Sequence, residues 1–146
     1  MKLAISTSEI AKHIGESIYV RGFVHALRVQ SKIAFINLRD VNGVIQLIAM
    51  KDSPAFEIVK GLSVESVIAV KGMVKKSDQA PGGAELEVQE IEVLSAAAPE
   101  LPIPVVTKKG GEETEAPIRF DYRWIDLRKP EKTKILDRKS TRLNSS

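Results

Sequence analysis

The alternation of apolar and polar residues between positions 17 and 94 constrains this chain more than anything else in it. A period of two marks a strand with one buried and one wet face, because successive side chains leave a strand on opposite sides. The period returns five times, over residues 17–30, 32–40, 44–50, 66–76 and 84–94. In the first stretch it puts Ile18, Val20, Val24 and Ala26 on one side. The breaks carry turn chemistry. Asp40-Val41-Asn42-Gly43 predicts a tight turn whose Asn42-Gly43 pair tolerates positive φ. Gln79-Ala80-Pro81-Gly82-Gly83 predicts a loop. Helical signals are few. Ser6-Thr7-Ser8-Glu9 reads as a capping box ahead of Ile10 and Ile14, with Gly15 as C-cap, and predicts a short helix over residues 7–14. Ser53 as N-cap and Pro54 in the first turn open another short helix, which Gly61 closes.

Strand, strand, strand, helix, strand, strand is the order of the OB-fold, a five-stranded Greek-key barrel. The expected class is therefore all-β: a five-stranded OB-fold barrel in residues 1–95, with a short helix between strands 3 and 4 and a short N-terminal helix. Residues 96–117 change character. They hold Pro99, Pro102, Pro104, Pro117 and the acidic run Glu112-Glu113-Thr114-Glu115, the composition of a linker or hinge. Beyond it, Pro130 suits the first turn of a helix. Residues 137–146, Asp-Arg-Lys-Ser-Thr-Arg-Leu-Asn-Ser-Ser, have neither apolar periodicity nor caps. They resemble one reading frame of a common short-read sequencing adapter, GAT CGG AAG AGC ACA CGT CTG AAC TCC AGT. That tail is expected to be foreign, to interrupt the helix begun at Pro130, and to stay off the barrel.

The chain has 146 residues, 43% hydrophobic and 28% charged, which suits one small domain with an appendage. It contains no Cys, which excludes disulfides, thiolate zinc sites and a Cys nucleophile. His13 and His25 do not make a His-rich metal cluster, and no metal site is expected. No apolar run approaches the roughly 18–20 residues of a membrane span. The first residues lack the apolar stretch of a secretory signal, so the expected compartment is the cytoplasm, with no membrane partner. The net charge of +3 falls to +1 once the tail's three basic residues and one acidic residue are set aside. Net charge therefore does not by itself identify nucleic acid as a partner.

Candidate site residues come from the strand faces. Over residues 32–40, Ala34, Ile36 and Leu38 share one side and suit a barrel lining, while Ile33, Phe35, Asn37 and Arg39 share the other. The second side mixes an aromatic with an amide and a guanidinium. OB-folds bind single-stranded nucleic acid across strands 2 and 3, with exposed aromatics as stacking platforms. Phe35 suits that use, and the same pattern fits a ring packed under the linker or a helix. Gln46 carries an amide that can both donate to and accept from a base edge, or that simply meets water. Arg28 and Lys32 flank the first hairpin, as phosphate contacts or as solvated cations. Glu85, Glu87 and Gln89 alternate against Leu86, Val88 and Glu90. That acidic side is either a solvated face or a place where one carboxylate accepts a hydrogen bond from a base. No Walker motif, His-Glu-x-x-His or Gly-x-Ser-x-Gly is present, and no residue is assigned a catalytic role.

Phe35-Ile36-Asn37-Leu38-Arg39-Asp40-Val41-Asn42-Gly43-Val44-Ile45-Gln46 resembles the Phe-Ile-x-Leu-Arg-Asp-x-x-Gly-x-Ile-Gln signature of the aspartyl-tRNA synthetases, a class II family, in their N-terminal anticodon-binding domain. Tyr122-Arg123-Trp124-Ile125-Asp126-Leu127-Arg128-Lys129-Pro130-Glu131 resembles the Arg-Tyr-Leu-Asp-Leu-Arg-Arg-Pro-Glu start of that family's catalytic domain, which places residues 118–136 there. Glu85-Leu86-Glu87-Val88-Gln89-Glu90-Ile91 is similar to the fifth strand of its archaeal and eukaryotic branch. The resemblance spans residues 5–136. Lysyl- and asparaginyl-tRNA synthetases share the fold and parts of the first signature, and the Asp-Leu-Arg-Lys-Pro-Glu string favours the aspartyl family.

The resemblance implies roles. Phe35 would stack on the middle anticodon base, a uridine, and Gln46 would hydrogen-bond that base's edge. Glu87 would accept from the first anticodon base, a guanine or its modified form. Arg28 would touch a phosphate or a base. His25-Ala26-Leu27-Arg28-Val29-Gln30 stands where many relatives carry a basic cluster, which implies a weaker hold on the RNA backbone. A complete enzyme of this kind would use ATP and magnesium to make aspartyl-adenylate and charge the aspartate tRNA as a homodimer. The class II motifs Phe-Arg-x-Glu and Gly-x-Gly-x-x-Arg are not in this chain, so the fragment is expected to be inactive, monomeric and without a cofactor of its own. Relatives of relaxed specificity also charge the asparagine tRNA. Other readings are a free-standing OB module for RNA or single-stranded DNA, and a structural adaptor. The segment 119–131 argues against the free module, which has no need of it.

Overall fold

The computed structural model describes residues 4–106 and 113–144, with no side-chain description for Asp137 or residues 139–144. Two compact units are present, Met1–Pro99 and Glu100–Ser146. In the first, β1 (Ser17–Val29), β2 (Ile33–Arg39), β3 (Val44–Met50), β4 (Val67–Lys76) and β5 (Ala84–Ser95) close into a barrel in the order β1-β2-β3-β5-β4. All neighbours are antiparallel except β3 and β5, which run parallel. This is the expected five-stranded OB-fold. The helix α1 (Ala55–Lys60) lies between β3 and β4 and buries Ala55, Phe56 and Val59 in the common core. Ser53 Oγ accepts from the Ala55 N–H at 3.3 Å, but the N-cap position falls one residue later, on Pro54.

The strand period explains the core. Val20, Val24, Ala34, Ile36, Leu38, Leu47, Ala49 and Leu86 all point inward and are buried. The register shifts at three places, and two of these shifts swap faces within the expected alternation. On β1 the register shifts between Val24 and Ala26, so Ala26 pairs with Asn37 on the outer side and Leu27 turns toward the core. Ala26 thus leaves the face it was expected to share with Val24, because one inserted residue swaps the faces of everything after it. On β5 the register shifts opposite Lys71 and Gly72; Glu90 is exposed and Ile91 packs against the core instead. Gly72 permits this close approach, since a Cβ there would run into the Glu87 carbonyl.

Three local expectations need correction. The residues Thr7–His13 form a 3-10 helix rather than an α-helix, and Ser6 Oγ accepts from Ser8 N–H at 3.4 Å without a reciprocal bond from Glu9, whose side chain meets Lys12. The 40–43 turn is closed without positive φ. Asp40 does the bending: its Oδ1 accepts from the Asn42 and Gly43 N–H groups at 2.7 and 3.0 Å. The same carboxylate accepts from Thr7 N–H at 2.8 Å and Thr7 Oγ1 at 2.6 Å, tying the N-terminal turn to the hairpin. Burial opposes the charge on Asp40, and these four donors outweigh it, so its pKa lies below the ordinary carboxylate value. Lastly, α4 (Pro130–Asn144) is not interrupted at Asp137. Residues 131–144 contain no Gly or Pro and several Lys, Arg and Leu, which favour helix continuation. Arg138 is exposed; how the other tail side chains pack lies outside the described residues.

The second unit also contains α2 (Ala116–Asp121) and α3 (Arg123–Asp126). Ile103 and Val105, from the stretch expected as a linker, are buried there with Ile125, against Leu101 and Tyr122. Residues 107–112 of that stretch lie outside the described residues. Asp126 and Lys129 are both buried and paired at 3.2 Å, and Lys132 donates to Asp126 at 2.8 Å. Burial alone would raise the Asp126 pKa, but the two lysines hold it below the ordinary value.

Candidate nucleic-acid interface

Cross-strand pairing decides which side chains share a face, because directly opposed residues point the same way. Leu27, Ile36, Leu47, Leu86 and Val74 form one row across the five strands, all turned to the core. The rows on either side of it therefore point outward. One runs Arg28, Phe35, Ile48, Glu87, Met73, and the other runs Ala26, Asn37, Gln46, Glu85, Lys75. The four residues singled out from sequence, Arg28, Phe35, Gln46 and Glu87, thus lie on adjoining rows of one outer surface. Phe35 is half-buried, flanked in register by Arg28 and Ile48; Arg28 itself is exposed.

The surface is polar at one end and apolar at the other. Ile33 and Met50 pair beyond Phe35 and Ile48, so that Phe35 sits in an apolar strip. Toward the other end, Gln46 Nε2 donates to Glu85 Oε2 at 3.4 Å, and Lys75 Nζ forms an ion pair with Glu87 Oε2. The Lys75 cation offsets the Glu87 carboxylate while leaving it half-exposed. Lys32 is exposed near the Ile33–Met50 end, where its carbonyl accepts from the Lys51 N–H at 3.0 Å. Lys51 and Lys75 were not singled out from sequence. Lys51 follows β3 in the β2–β3 hairpin, whereas Lys75 joins this surface through the pairing of β4 with β5.

Arg39 departs from its expected place. It is buried, and its guanidinium meets both carboxylate oxygens of Glu65 at 2.9 Å. It also stands 5.4 Å from the Phe23 ring centre and 3.0 Å from His25 Nδ1. A guanidinium only donates, so Nδ1 is the acceptor and the His25 proton sits on Nε2. Burial first, and the Arg39 charge second, hold the His25 pKa below its ordinary value, against the opposing pull of Glu65. Glu65 adopts φ 71°, a left-handed conformation unusual for a residue with a side chain. The Arg39 side chain is thereby committed to holding the 61–66 turn onto β1 and β2, and is not available to a ligand. No alternation pattern points to Glu65 as its partner.

A half-buried aromatic, an amide and a carboxylate thus share adjoining rows on the outside of a small closed barrel of OB topology. The chain belongs to the tRNA anticodon-binding family of OB-fold nucleic acid binding domains, and the match covers residues 18–94. Two curated relatives are aspartate–tRNA(Asp/Asn) ligases. That of Novosphingobium aromaticivorans is 38% identical over 122 residues, 80% of this chain and 20% of the relative. That of Methanocaldococcus jannaschii is 36% identical over 134 residues, 90% of this chain and 30% of the relative. Among solved structures, the asparaginyl-tRNA synthetase of Pyrococcus horikoshii complexed with asparaginyl-adenylate superposes with a TM-score of 0.86 at 31% identity, covering 97% of this chain and 32% of that one. The chain spans less than a third of the length of the curated relatives.

Proposed function

We propose that this chain is the anticodon-reading part of an aspartate–tRNA ligase and that the outer surface of β2, β3 and β5 is where the anticodon lies. The observation that carries this reading is the register: the β2–β3 hairpin and the distant β5 bring Phe35, Gln46 and Glu87 onto adjoining rows of one face. Phe35 offers the middle base, a uridine, a ring to stack on, and Gln46 hydrogen-bonds its edge. Glu87 accepts from the first base, a guanine or its modified form. Arg28, exposed at the end of the Phe35 row, meets the RNA backbone or a base. The complete enzyme would bind ATP and magnesium and charge its tRNA in a domain that this chain does not include. The fragment then binds RNA and neither activates aspartate nor esterifies tRNA. Because the curated relatives carry both tRNAs in their names, the reading includes the asparagine tRNA.

Glu87→Ala tests it. Removing a carboxylate that accepts from guanine costs about 1–3 kcal/mol when the donor is left unmatched. The full chain carrying this change should lose affinity for an RNA hairpin with guanine at the first anticodon position, and lose little for the same hairpin with adenine there. Equal losses for both hairpins would make Glu87 a solvated carboxylate and move the reading face elsewhere.

A further inference from the structure

Gln46 and Glu85 are register partners on the parallel β3–β5 pair, both half-buried, with Gln46 Nε2 3.4 Å from Glu85 Oε2. Lys75, opposite Glu85 in register, is drawn to Glu87 instead. An ionised carboxylate can only accept, so the atom that Gln46 turns toward Glu85 has to be its nitrogen. The amide oxygen and the second amide N–H are then presented outward in a fixed order. From this geometry we infer that Glu85 is a positioning residue: by directing the Gln46 amide it makes this site discriminate uracil from cytosine.

The inference rests on the proposal that Gln46 meets a base edge, and follows from the hydrogen-bonding edges of the two pyrimidines. Uracil presents acceptor, donor, acceptor, so a neighbouring donor–acceptor pair can match it in either order. Cytosine presents donor, acceptor, acceptor, and only one order of the amide gives it two hydrogen bonds. A glutamine free to turn its amide over can serve both bases. An amide held in one order still serves uracil and can lose cytosine. Directing the amide in the order that cytosine cannot meet therefore adds selectivity for uracil, and Glu85 is the group placed to direct it.

Glu85→Gln keeps the shape of the side chain but lets it donate or accept, and so releases the amide order. Binding is measured with the full chain and two RNA hairpins that differ only in uridine or cytidine at the middle anticodon position. A matched two-bond contact to a base is commonly worth about tenfold or more in discrimination. The expected result is that Glu85→Gln lowers the uridine-to-cytidine affinity ratio about tenfold, chiefly by improving the cytidine hairpin. Glu85→Ala, which also frees the amide, should lower the ratio in the same direction. An unchanged ratio in both variants overturns the role of Glu85. Gln46→Ala separates this from the underlying reading. If it leaves both affinities unchanged, Gln46 does not meet the base at all. If it weakens binding while the Glu85 variants keep the wild-type ratio, only the positioning role fails.

Discussion

Truncating Phe35 separates a binding role from a structural one, and the structure sets both magnitudes. The ring lies on the outer side of β2, with Ala34 and Ile36 on the inner side filling the core. Its neighbours in register are Arg28 and Ile48, and it is half-buried. Fully burying a Phe side chain contributes about 1.5–3 kcal/mol. A half-buried ring that leaves an open notch rather than a closed cavity should cost about 1–2 kcal/mol on replacement by Ala, against about 3–5 kcal/mol for a ring deep in a core. A base stacked on the ring contributes about 1–3 kcal/mol, or roughly five- to 150-fold in affinity. Phe35→Ala should therefore melt slightly earlier and bind an anticodon hairpin at least about fivefold more weakly per folded molecule. Phe35→Leu sharpens the contrast: it restores most of the apolar contact with Ile48 but has no π face, so stability should recover while RNA affinity does not. Thermal melting and a fluorescence titration corrected for the folded fraction read the two quantities separately. Loss of about 3–5 kcal/mol of stability with unchanged affinity per folded molecule would refute the reasoning and make Phe35 a packing residue.

The buried cluster around Arg39 yields two further expectations. Glu65→Ala leaves the Arg39 guanidinium buried without its carboxylate and should cost about 3–5 kcal/mol in chemical denaturation; a loss below about 1 kcal/mol would mean that the guanidinium finds water instead. His25 is held neutral in the fold, with its pKa below the ordinary value, while the unfolded chain protonates it near pH 6.5. The unfolded state thus binds more protons as pH drops below about 6.5, and the contribution of His25 to stability, complete above that pH, is lost as the pH falls toward the folded-state pKa. His25→Gln, which keeps an acceptor for Arg39, should flatten the pH dependence of the melting temperature in that window, and an unaltered slope would assign it to other groups.

The sequence made the barrel legible because its strands keep one face dry. Ala34, Ile36 and Leu38 announce β2 by period alone, and Gly61 marks the end of α1. Period cannot announce its own interruptions. The bulges near His25 and Gln89 reverse the faces of Ala26 and Glu90, because one inserted residue swaps the faces of everything after it. Arg39 shows the same limit in its charge. Alternation places it beside Phe35 and Asn37, and its burial depends on Glu65, which a single unusual backbone angle brings into reach from a turn 26 residues away. The site residues were legible as types, an aromatic, an amide and a carboxylate on strands. Their adjacency was not, because it is a property of cross-strand register, and nothing local pairs Ile48 with Glu87.

The parallel pairing of β3 with β5 bears on the order in which the chain can acquire its function. Gln46 and Glu85 are 39 residues apart, with α1 and all of β4 between them. Contacts between distant segments carry a loop-closure cost that local hairpins do not, and they slow folding. The β1–β2 and β2–β3 hairpins join neighbouring segments and present Phe35 and Gln46 early. During synthesis β3 keeps one edge unpaired until residues 84–95 have emerged and docked, and an unpaired edge is open to pairing with another chain. Glu85 and Glu87 reach the face beside Gln46 with that same last strand, so a nascent chain presents Phe35 and Gln46 before it presents the carboxylates that flank them.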